Sequence, residues 1–244
     1  MNIQLNVSFV IFSVSMQNED NYRKLPHKKV SVLLVEDDEW KLPTKNVDDI
    51  CDIDKSICEF VKELCGIDNI YSEQLYTFSK QNGESLEINQ TYISLINRDT
   101  INNLVDNCKW FDVDLVEDRN GYVCNLQCAE KVLSFNVSKT LKPQTTDRYT
   151  FTEISSTGLY PNHSVYLVSG IERLRNKINY TDIVFNMMPP LFTLKDLQQV
   201  FEAVLNKKLL DPAFRRVIAS KVESTTKMTS GKGHRPSVLF RHKI

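Results

Sequence analysis

The sequence predicts an α+β fold in two parts, a strand-rich body followed by a smaller C-terminal module of helices and a hairpin. Three observations support this prediction. Apolar and polar residues alternate in several stretches of the first 160 residues, which is the spacing of β-strands. Apolar residues recur at steps of three and four in residues 193–205, which is helical spacing. Basic residues are concentrated after residue 205.

The C-terminal module begins with an amphipathic helix over residues 193–205. Thr193 precedes its apolar stripe and is a good N-cap, and Asp196 suits the first turn. A second, shorter helix is expected from Asp211, because an Asp cap followed by proline is a strong helix start. Its buried face is expected to contain Ala213, Phe214, Val217 and Ile218.

The residues after the second helix alternate around a glycine-containing tip, GKGHRP at 231–236, which predicts a β-hairpin. A helix, a tight turn, a short basic helix and a basic hairpin follow one another in the order of a winged helix-turn-helix. In such a module the short helix enters the major groove of DNA, and the hairpin tip reaches the backbone or the minor groove.

The charge distribution agrees with a polyanionic partner at this end. Residues 205–244 contain ten Lys or Arg and two acids, a balance of +8, whereas the whole chain carries −1 and residues 1–204 therefore carry −9. A solvated basic tail is the alternative, but these charges interleave with apolar positions at helical and strand spacing. The predicted DNA-binding residues are Lys208, Arg215, Arg216, Lys221, Lys227, Lys232, His234 and Arg235.

The body begins with an alternating strand at 3–15, a polar loop at 16–29 and a second strand at 30–35. A helix is expected at 54–64, closed by Gly66. Further strands are predicted at 70–78, 87–97 and 109–113. The apolar N-terminal stretch is short and lacks a basic leader, so neither a signal peptide nor a membrane span is expected. Six cysteines without a CxxC pair suggest buried thiols in a reducing cytoplasm.

The sequence also resembles a known family. The body contains WKLP at 40–43, the helix closed by Gly66, YSEQLYTF at 71–78 and KWF at 109–111, which resemble a Nudix domain. Residues 171–216 closely resemble the tail of NrtR-like, Nudix-related bacterial transcriptional regulators. The resemblance implies a Nudix α/β/α sandwich with a mixed sheet over residues 1–170 and a winged helix-turn-helix domain over 171–244.

Residues 117–163 exceed a minimal Nudix domain and predict three inserted antiparallel strands, at 122–128, 132–137 and 148–154. These strands either line an effector pocket or support a dimer. A connecting helix is expected at 165–177 and a first helix of the winged module at 183–188, with the domain boundary near Gly170. His163 is expected in a loop, without a special role.

The Nudix box departs from the family pattern. Aligned on Gly66, the chain has Lys45 at the leading glycine, Cys51 at the first glutamate, and Phe60 and Leu64 at two further carboxylate positions. Only Glu63 remains. Because Mg²⁺ needs several oxygen ligands, we expect no diphosphate hydrolysis, no metal and no cofactor.

The resemblance implies a sensing body whose effector is an ADP-ribose-like nucleotide or a sugar. By analogy, the candidate effector-binding residues are Trp40, Lys45, Glu63 and Arg98. The expected protein is a cytoplasmic repressor that binds a palindromic operator as a homodimer. Two alternatives remain open. One is a Nudix-type hydrolase of nucleoside diphosphate derivatives with an accessory basic domain, which would recruit Asp48, Asp49 or Asp52. The other is a non-specific nucleic-acid-binding module.

Overall fold

The computed structural model describes residues 2–17, 26–47, 53–68, 70–101, 103–145, 148–229 and 236–243. The strands within these ranges are β1 (Asn2–Gln17), β2 (His27–Glu36), β3 (Trp40–Lys41), β4 (Thr44–Asn46), β5 (Tyr71–Asn82), β6 (Ser85–Leu95), β7 (Cys108–Glu117), β8 (Gly121–Cys128), β9 (Lys131–Leu141), β10 (Tyr149–Thr157), β11 (Val222–Met228) and β12 (Val238–His242). The α-helices are α1 (Ile53–Cys65), α2 (His163–Lys177), α3 (Leu194–Leu205) and α4 (Asp211–Ile218).

The body is built on one mixed sheet with the strand order β10-β9-β8-β7-β2-β1-β6-β5. β1 pairs in parallel with β6, with Phe12 opposite Leu95, whereas the other neighbours are antiparallel. The short strands β3 and β4 pair with β2 and β1. Successive side chains of these strands point to opposite faces of the sheet, and an apolar cluster is buried on each face.

The two faces of the sheet are covered by different helices. Ile57 and Val61 of α1 belong to one apolar cluster with Phe9, and α2 belongs to a second cluster on the other face. α2 lies very close to β1, because a Cβ at Gly170 would be 3.1 Å from Cγ1 of Val10. The result is the predicted α/β/α sandwich with a mixed sheet.

The predicted insertion does form three strands, and they continue the main sheet as β8, β9 and β10. The two ends of the sheet, β5 and β10, both contact α2. The sheet therefore curves around this helix. Among the described residues, no helix is long and apolar enough to cross a membrane.

The C-terminal module shares its core with the body. Val200 and Val204 of α3 belong to the same buried cluster as Ile171 and Leu174 of α2. A polar contact also joins the two parts, since Asn206 donates a side-chain hydrogen bond of 3.3 Å to the carbonyl of Leu115. Gly170, where the domain boundary was expected, lies within α2, and this helix contacts both parts.

Two elements of this region differ from expectation. α2 begins at His163, two residues earlier than predicted, so His163 is helical and not part of a loop. The predicted helix at 183–188 is a short 3₁₀ helix, Ile183–Met187. Pro189 and Pro190 follow after Met188, and proline prevents continuation of an α-helix.

Candidate nucleic-acid interface

The start and end of α3 follow from its flanking residues. The Thr193 hydroxyl accepts a hydrogen bond of 3.0 Å from the Asp196 N–H, and the Asp196 carboxylate accepts one of 3.2 Å from the Thr193 N–H. This reciprocal capping box satisfies two amide groups that a helix start leaves unpaired. α3 ends at Leu205, and the next residue, Asn206, is its C-cap with a left-handed φ of 50°. The predicted Thr193 cap is thereby confirmed.

Glu202 holds the turn between α3 and α4. Its carboxylate accepts hydrogen bonds of 3.0 Å from the Leu209 N–H and 3.0 Å from the Lys208 amine. Burial raises the pKa of Glu202, but these bonds and one from Gln198 outweigh it, so the pKa lies below its ordinary value. Lys208, a predicted DNA-binding residue, is exposed and paired with Glu202 at the protein surface.

α4 packs on α3 through two residues one turn apart. Phe214 meets Phe201 edge-on with 5.3 Å between ring centroids, and Ile218 is also buried. Ala213 and Val217, expected on this face, are exposed, Val217 at 61%. Phe214 and Ile218 are the two buried residues of this eight-residue helix, so its buried face is narrow.

The start of α4 also differs from expectation. Leu210 occupies the N-cap position and has no side-chain capping bond, while Asp211 is the first helical residue. The Asp211 carboxylate instead accepts a hydrogen bond of 2.9 Å from the Gln198 side chain of α3. Asp211 therefore ties the two helices together, and Pro212 still lies in the first turn, where its missing N–H costs nothing.

Arg215 and Arg216 point to solvent. Both are exposed, and neither makes an ion pair or hydrogen bond within the chain that the structure describes. Successive residues on a helix are about 100° apart. Arg216 is therefore on the side of α4 opposite the buried Phe214 and Ile218, while Arg215 lies on a flank. This exposed, uncompensated positive charge is suited to an anionic partner.

Lys221, another predicted DNA-binding residue, makes contacts within the module. Its amine is 2.8 Å from the Asp182 carboxylate and donates a hydrogen bond of 2.9 Å to the Thr181 carbonyl. The bond from Lys221 holds the pKa of Asp182 below its ordinary value. His242 contributes from β12, with its Nε2 3.4 Å from the same carboxylate. These contacts fix the base of the hairpin to the segment after α2.

The β11–β12 hairpin forms as predicted. Thr229 donates a backbone hydrogen bond of 2.8 Å to the Ser237 carbonyl, which closes the described part of the hairpin. Lys227 is exposed on β11. The other predicted DNA-binding residues of the hairpin, Lys232, His234 and Arg235, lie outside the described residues.

The four candidate effector-binding residues do not converge. Trp40 is 4% exposed and packs edge-on against Phe111 in the cluster on the α2 face of the sheet. The other three candidates are on the opposite face of the sheet. Lys45 and Arg98 lie near aromatic rings of the cluster that includes α1, and Glu63 is on α1 itself. The Lys45 amine is 5.7 Å from the centroid of the Phe60 ring, the Arg98 guanidinium is 5.7 Å from that of Trp110, and Glu63 is exposed.

α1 carries few acidic groups in positions to bind a metal. Phe60 packs against Phe9 with 5.2 Å between ring centroids, and Glu59 is 3.9 Å from Lys55. Across the described ranges, no group of three or more His, Cys, Asp or Glu side chains is arranged to hold a metal ion. Three acids considered for a recruited site, Asp48, Asp49 and Asp52, lie outside those ranges.

His163 is the residue whose position the sequence did not reveal. It is buried at the start of α2, and its Nδ1 accepts a hydrogen bond of 2.9 Å from the Leu42 N–H. Burial and the nearby Lys41 charge lower the pKa of His163 to about 3, so the imidazole is neutral. The partner is 121 residues away in the chain, and no local pattern signals such a contact.

Comparisons with known proteins agree with this architecture. A family model described as the NrtR DNA-binding winged helix domain matches residues 184–242. A curated relative, the ADPR responsive transcriptional repressor NtrR of Acinetobacter baylyi (strain ATCC 33305 / BD413 / ADP1), is 41% identical over 81 residues, which are 33% of this chain. The match spans only 32% of the length of that protein.

Two solved structures share the fold over nearly the whole chain. Shewanella oneidensis NrtR complexed with a 27mer DNA has a TM-score of 0.67 and 21% identity over 98% of this chain and 93% of its own. A MutT/nudix family protein from Enterococcus faecalis has a TM-score of 0.68 and 17% identity over 100% of this chain and 87% of its own. At these identities the likeness shows the fold.

The fold and the module together define a Nudix-fold body joined to a C-terminal winged helix domain. The sandwich supplies the first part, and α3, α4 and the β11–β12 hairpin supply the second. Residues 184–242 match the NrtR-type winged helix domain, and the chain as a whole shares its fold with Shewanella oneidensis NrtR.

Proposed function

We propose that this chain is a cytoplasmic DNA-binding transcriptional repressor in which residues 1–170 sense a small metabolite and residues 171–244 bind an operator. One observation carries the proposal. Arg215 and Arg216 are exposed on α4 of an NrtR-type winged helix, and no described residue forms an ion pair with either. The relative's description as an ADPR responsive transcriptional repressor supports both the activity and an effector of the ADP-ribose type.

In this proposal the two arginines have different roles. Arg216, opposite the buried edge of α4, contacts base edges in the major groove, where an arginine can donate two hydrogen bonds to guanine O6 and N7. Arg215, on the flank, neutralises a phosphate, as do Lys208 and Lys227. Lys232, His234 and Arg235 remain proposed contacts of the hairpin tip. Lys221 acts indirectly, because its ion pair with Asp182 holds the base of the hairpin.

The operator is proposed to be palindromic and the protein a homodimer. A helix-turn-helix module reads only a short half-site, and two-fold pairing doubles the contacts on half-sites about one helical turn apart. Sedimentation equilibrium of the free chain and of its complex with a selected duplex tests this stoichiometry.

The structure offers a route by which the body can influence DNA binding. α2 contacts the sheet along its length, and its Arg175 donates a hydrogen bond of 3.0 Å to the Val204 carbonyl of α3. A ligand that favours one placement of α2 would therefore alter the placement of α3 and α4. Equal affinity for both placements would have no effect on DNA binding.

We also propose that the Nudix body does not hydrolyse diphosphates. Phe60 is packed against Phe9, and Glu63 is exposed on α1 without a described acidic group beside it that completes a metal site. The hydrolase alternative predicts phosphate release from ADP-ribose with Mg²⁺, and that assay separates the two proposals.

Selection of bound duplexes from a random pool tests the function directly. We expect the wild-type chain to enrich a palindromic sequence. Arg216→Ala is expected to enrich a sequence that is degenerate at one base pair in each half-site. Failure of the wild-type chain to enrich any duplex would contradict the proposal, and enrichment of single-stranded nucleic acid would favour the non-specific module.

A further inference from the structure

A cavity of about 320 Å³ lies between the body and the winged module. We call it the junction cavity. Residues of β2 and β7 form one wall, α2 forms another, and α3 with the turn that follows it forms the third. The volume is in the range of small-molecule sites. A ligand in this cavity would touch both parts of the chain at once.

Arg175 of α2 lines the junction cavity and is only 18% exposed. Its Nε donates a hydrogen bond of 3.0 Å to the Val204 carbonyl, and its Nη1 is 3.8 Å from a carboxylate oxygen of Glu172. That separation is too long for a hydrogen bond. No described residue accepts a hydrogen bond from either Nη atom. The guanidinium group therefore retains a planar pair of donors, the arrangement that binds an oxyanion with two bonds.

Two lysines that line the junction cavity come from the two parts of the chain. Lys28 is near the start of β2 in the body, and Lys207 is in the turn after α3. Neither makes an ion pair or a side-chain hydrogen bond with any residue that the structure describes. Lys28 is on the same side of its strand as Val30, which belongs to the apolar cluster on the α2 face. Its side chain therefore projects from the face on which α2 and α3 lie.

The acidic residues that line the junction cavity do not neutralise these cations. The Glu202 carboxylate is used within the module, where it accepts hydrogen bonds from the Leu209 N–H and the Lys208 amine. Asp114 precedes Leu115, which belongs to the cluster on the α2 face, so the Asp114 side chain projects from the opposite face of the sheet. The side chains that face the cavity thus leave an excess of positive charge.

We propose that the junction cavity binds a small phosphate-bearing anion. Arg175 donates two hydrogen bonds to its oxygens, and the amines of Lys28 and Lys207 bind the same group from the two parts of the chain. A dianionic phosphate matches this set, because its oxygens accept from several donors and charge-assisted hydrogen bonds are the strong ones. Val30 and Ile171 make part of the remaining wall apolar, so the group that carries the phosphate is small and weakly polar.

Such an anion would couple the body to the winged module. Lys28 is held by the sheet, and Lys207 belongs to the turn that leads into α4. The like charges repel one another, and an anion between them replaces repulsion by attraction. The bound anion therefore favours the arrangement in which α3 and α4 are held against the body, which is the differential contact that shifts a population. An effect on DNA binding rests on the proposed function, whereas the binding of the anion does not.

Calorimetric titration of the full chain with inorganic pyrophosphate, at constant ionic strength and without Mg²⁺ or DNA, tests the proposal. We expect saturable binding. Lys28→Ala and Lys207→Ala should each weaken it by about tenfold, the scale of one charge-assisted hydrogen bond. Lys195→Ala is the matched control, because Lys195 is an exposed lysine at the other end of α3 that does not line the cavity, and its affinity should be unchanged.

A charge-conserving variant separates loss of binding from loss of folding. Lys28→Arg should bind pyrophosphate nearly as well as the wild-type chain, whereas Lys28→Gln should resemble Lys28→Ala. Absence of pyrophosphate binding, or equal weakening by Lys195→Ala, overturns the proposal. If pyrophosphate does not bind and Lys28→Ala lowers the salt dependence of duplex binding, the lysines contact the DNA backbone instead. Operator binding is measured separately in phosphate-free buffer, so failure here is distinct from failure of the proposed function.

Discussion

Phe214 of α4 packs edge-on against Phe201 of α3 with 5.3 Å between their ring centroids, and both residues are buried. This contact, with Ile218 one turn later, orients the exposed side of α4 that carries Arg215 and Arg216. The winged module therefore depends on an aromatic pair for the placement of the residues proposed to contact DNA.

Replacement of Phe214 should unfold the winged module. Phe214→Ala removes a buried ring from a packed site, which costs about 3–5 kcal/mol. Urea denaturation monitored by circular dichroism should show this loss of stability. Val217→Ala is the matched control on the same helix, and because Val217 is 61% exposed its effect should stay within about 0.5 kcal/mol. A small effect of Phe214→Ala would show that α4 is not held by this contact.

The two arginines should differ in their effects on DNA binding. Arg216→Ala should reduce discrimination at one base pair by about 1–3 kcal/mol, because bidentate guanine contacts are lost. Arg215→Ala should weaken all duplexes alike and lower the slope of affinity against salt by about one. Fluorescence anisotropy with the selected duplex and a shuffled one measures both quantities. Arg119→Ala, an exposed arginine between β7 and β8, is the control that should change neither.

The Lys221–Asp182 pair should stabilise the module without reading sequence. The pKa of Asp182 is lowered, so the pair contributes stability above the ordinary aspartate pKa of 3.8 and loses it as pH falls through the lower folded value. Asp182→Asn should remove that acid-dependent part and cost no more than about 1 kcal/mol, since the carboxylate is half exposed. Unchanged base preference of this variant on selected duplexes would distinguish support from direct contact.

His163 should make the protein less stable in mild acid. Its folded pKa is about 3 and its ordinary value 6.5, so below about pH 6.5 the unfolded chain takes up a proton that the folded chain does not. Stability should fall by up to about 1.4 kcal/mol per pH unit on this account. Denaturation of wild type between pH 7 and 4.5 measures the slope. His163→Gln should flatten it, whereas His27→Gln should leave it steep.

The proposed lack of diphosphate hydrolysis is also testable. With Phe60 and Leu64 at two carboxylate positions of the Nudix box, phosphate release from ADP-ribose with Mg²⁺ should stay at the level of the buffer. Glu63→Gln should therefore change nothing. Robust turnover that Glu63→Gln abolishes would require a metal site on α1 and would restore the hydrolase alternative.

Local patterns predicted most of the elements. Strand alternation, the Thr193 and Asp196 cap and the spacing of Leu197, Val200 and Val204 each involve residues close in the chain, and the structure has them as expected. These features depend on backbone geometry and nearby side chains, which a sequence displays directly.

Contacts between residues far apart in the chain could not be predicted from local sequence patterns. The His163–Leu42 bond joins residues 121 positions apart, and Lys221 is paired with Asp182 across the module. The curvature of the sheet around α2, which brings Phe78 and Phe151 to one cavity, is a property of the whole sheet. The four candidate effector-binding residues were chosen by analogy with Nudix domains. Such an analogy does not determine the face of the sheet on which each side chain lies.

The proposed function requires α4 and its hairpin to bind duplex DNA in a sequence-dependent way. The most direct test is the ratio of dissociation constants for a selected operator duplex and a shuffled duplex at physiological salt. We expect a preference of about 10³ or more for the operator duplex. A ratio near one, with tight binding to both duplexes, would contradict it.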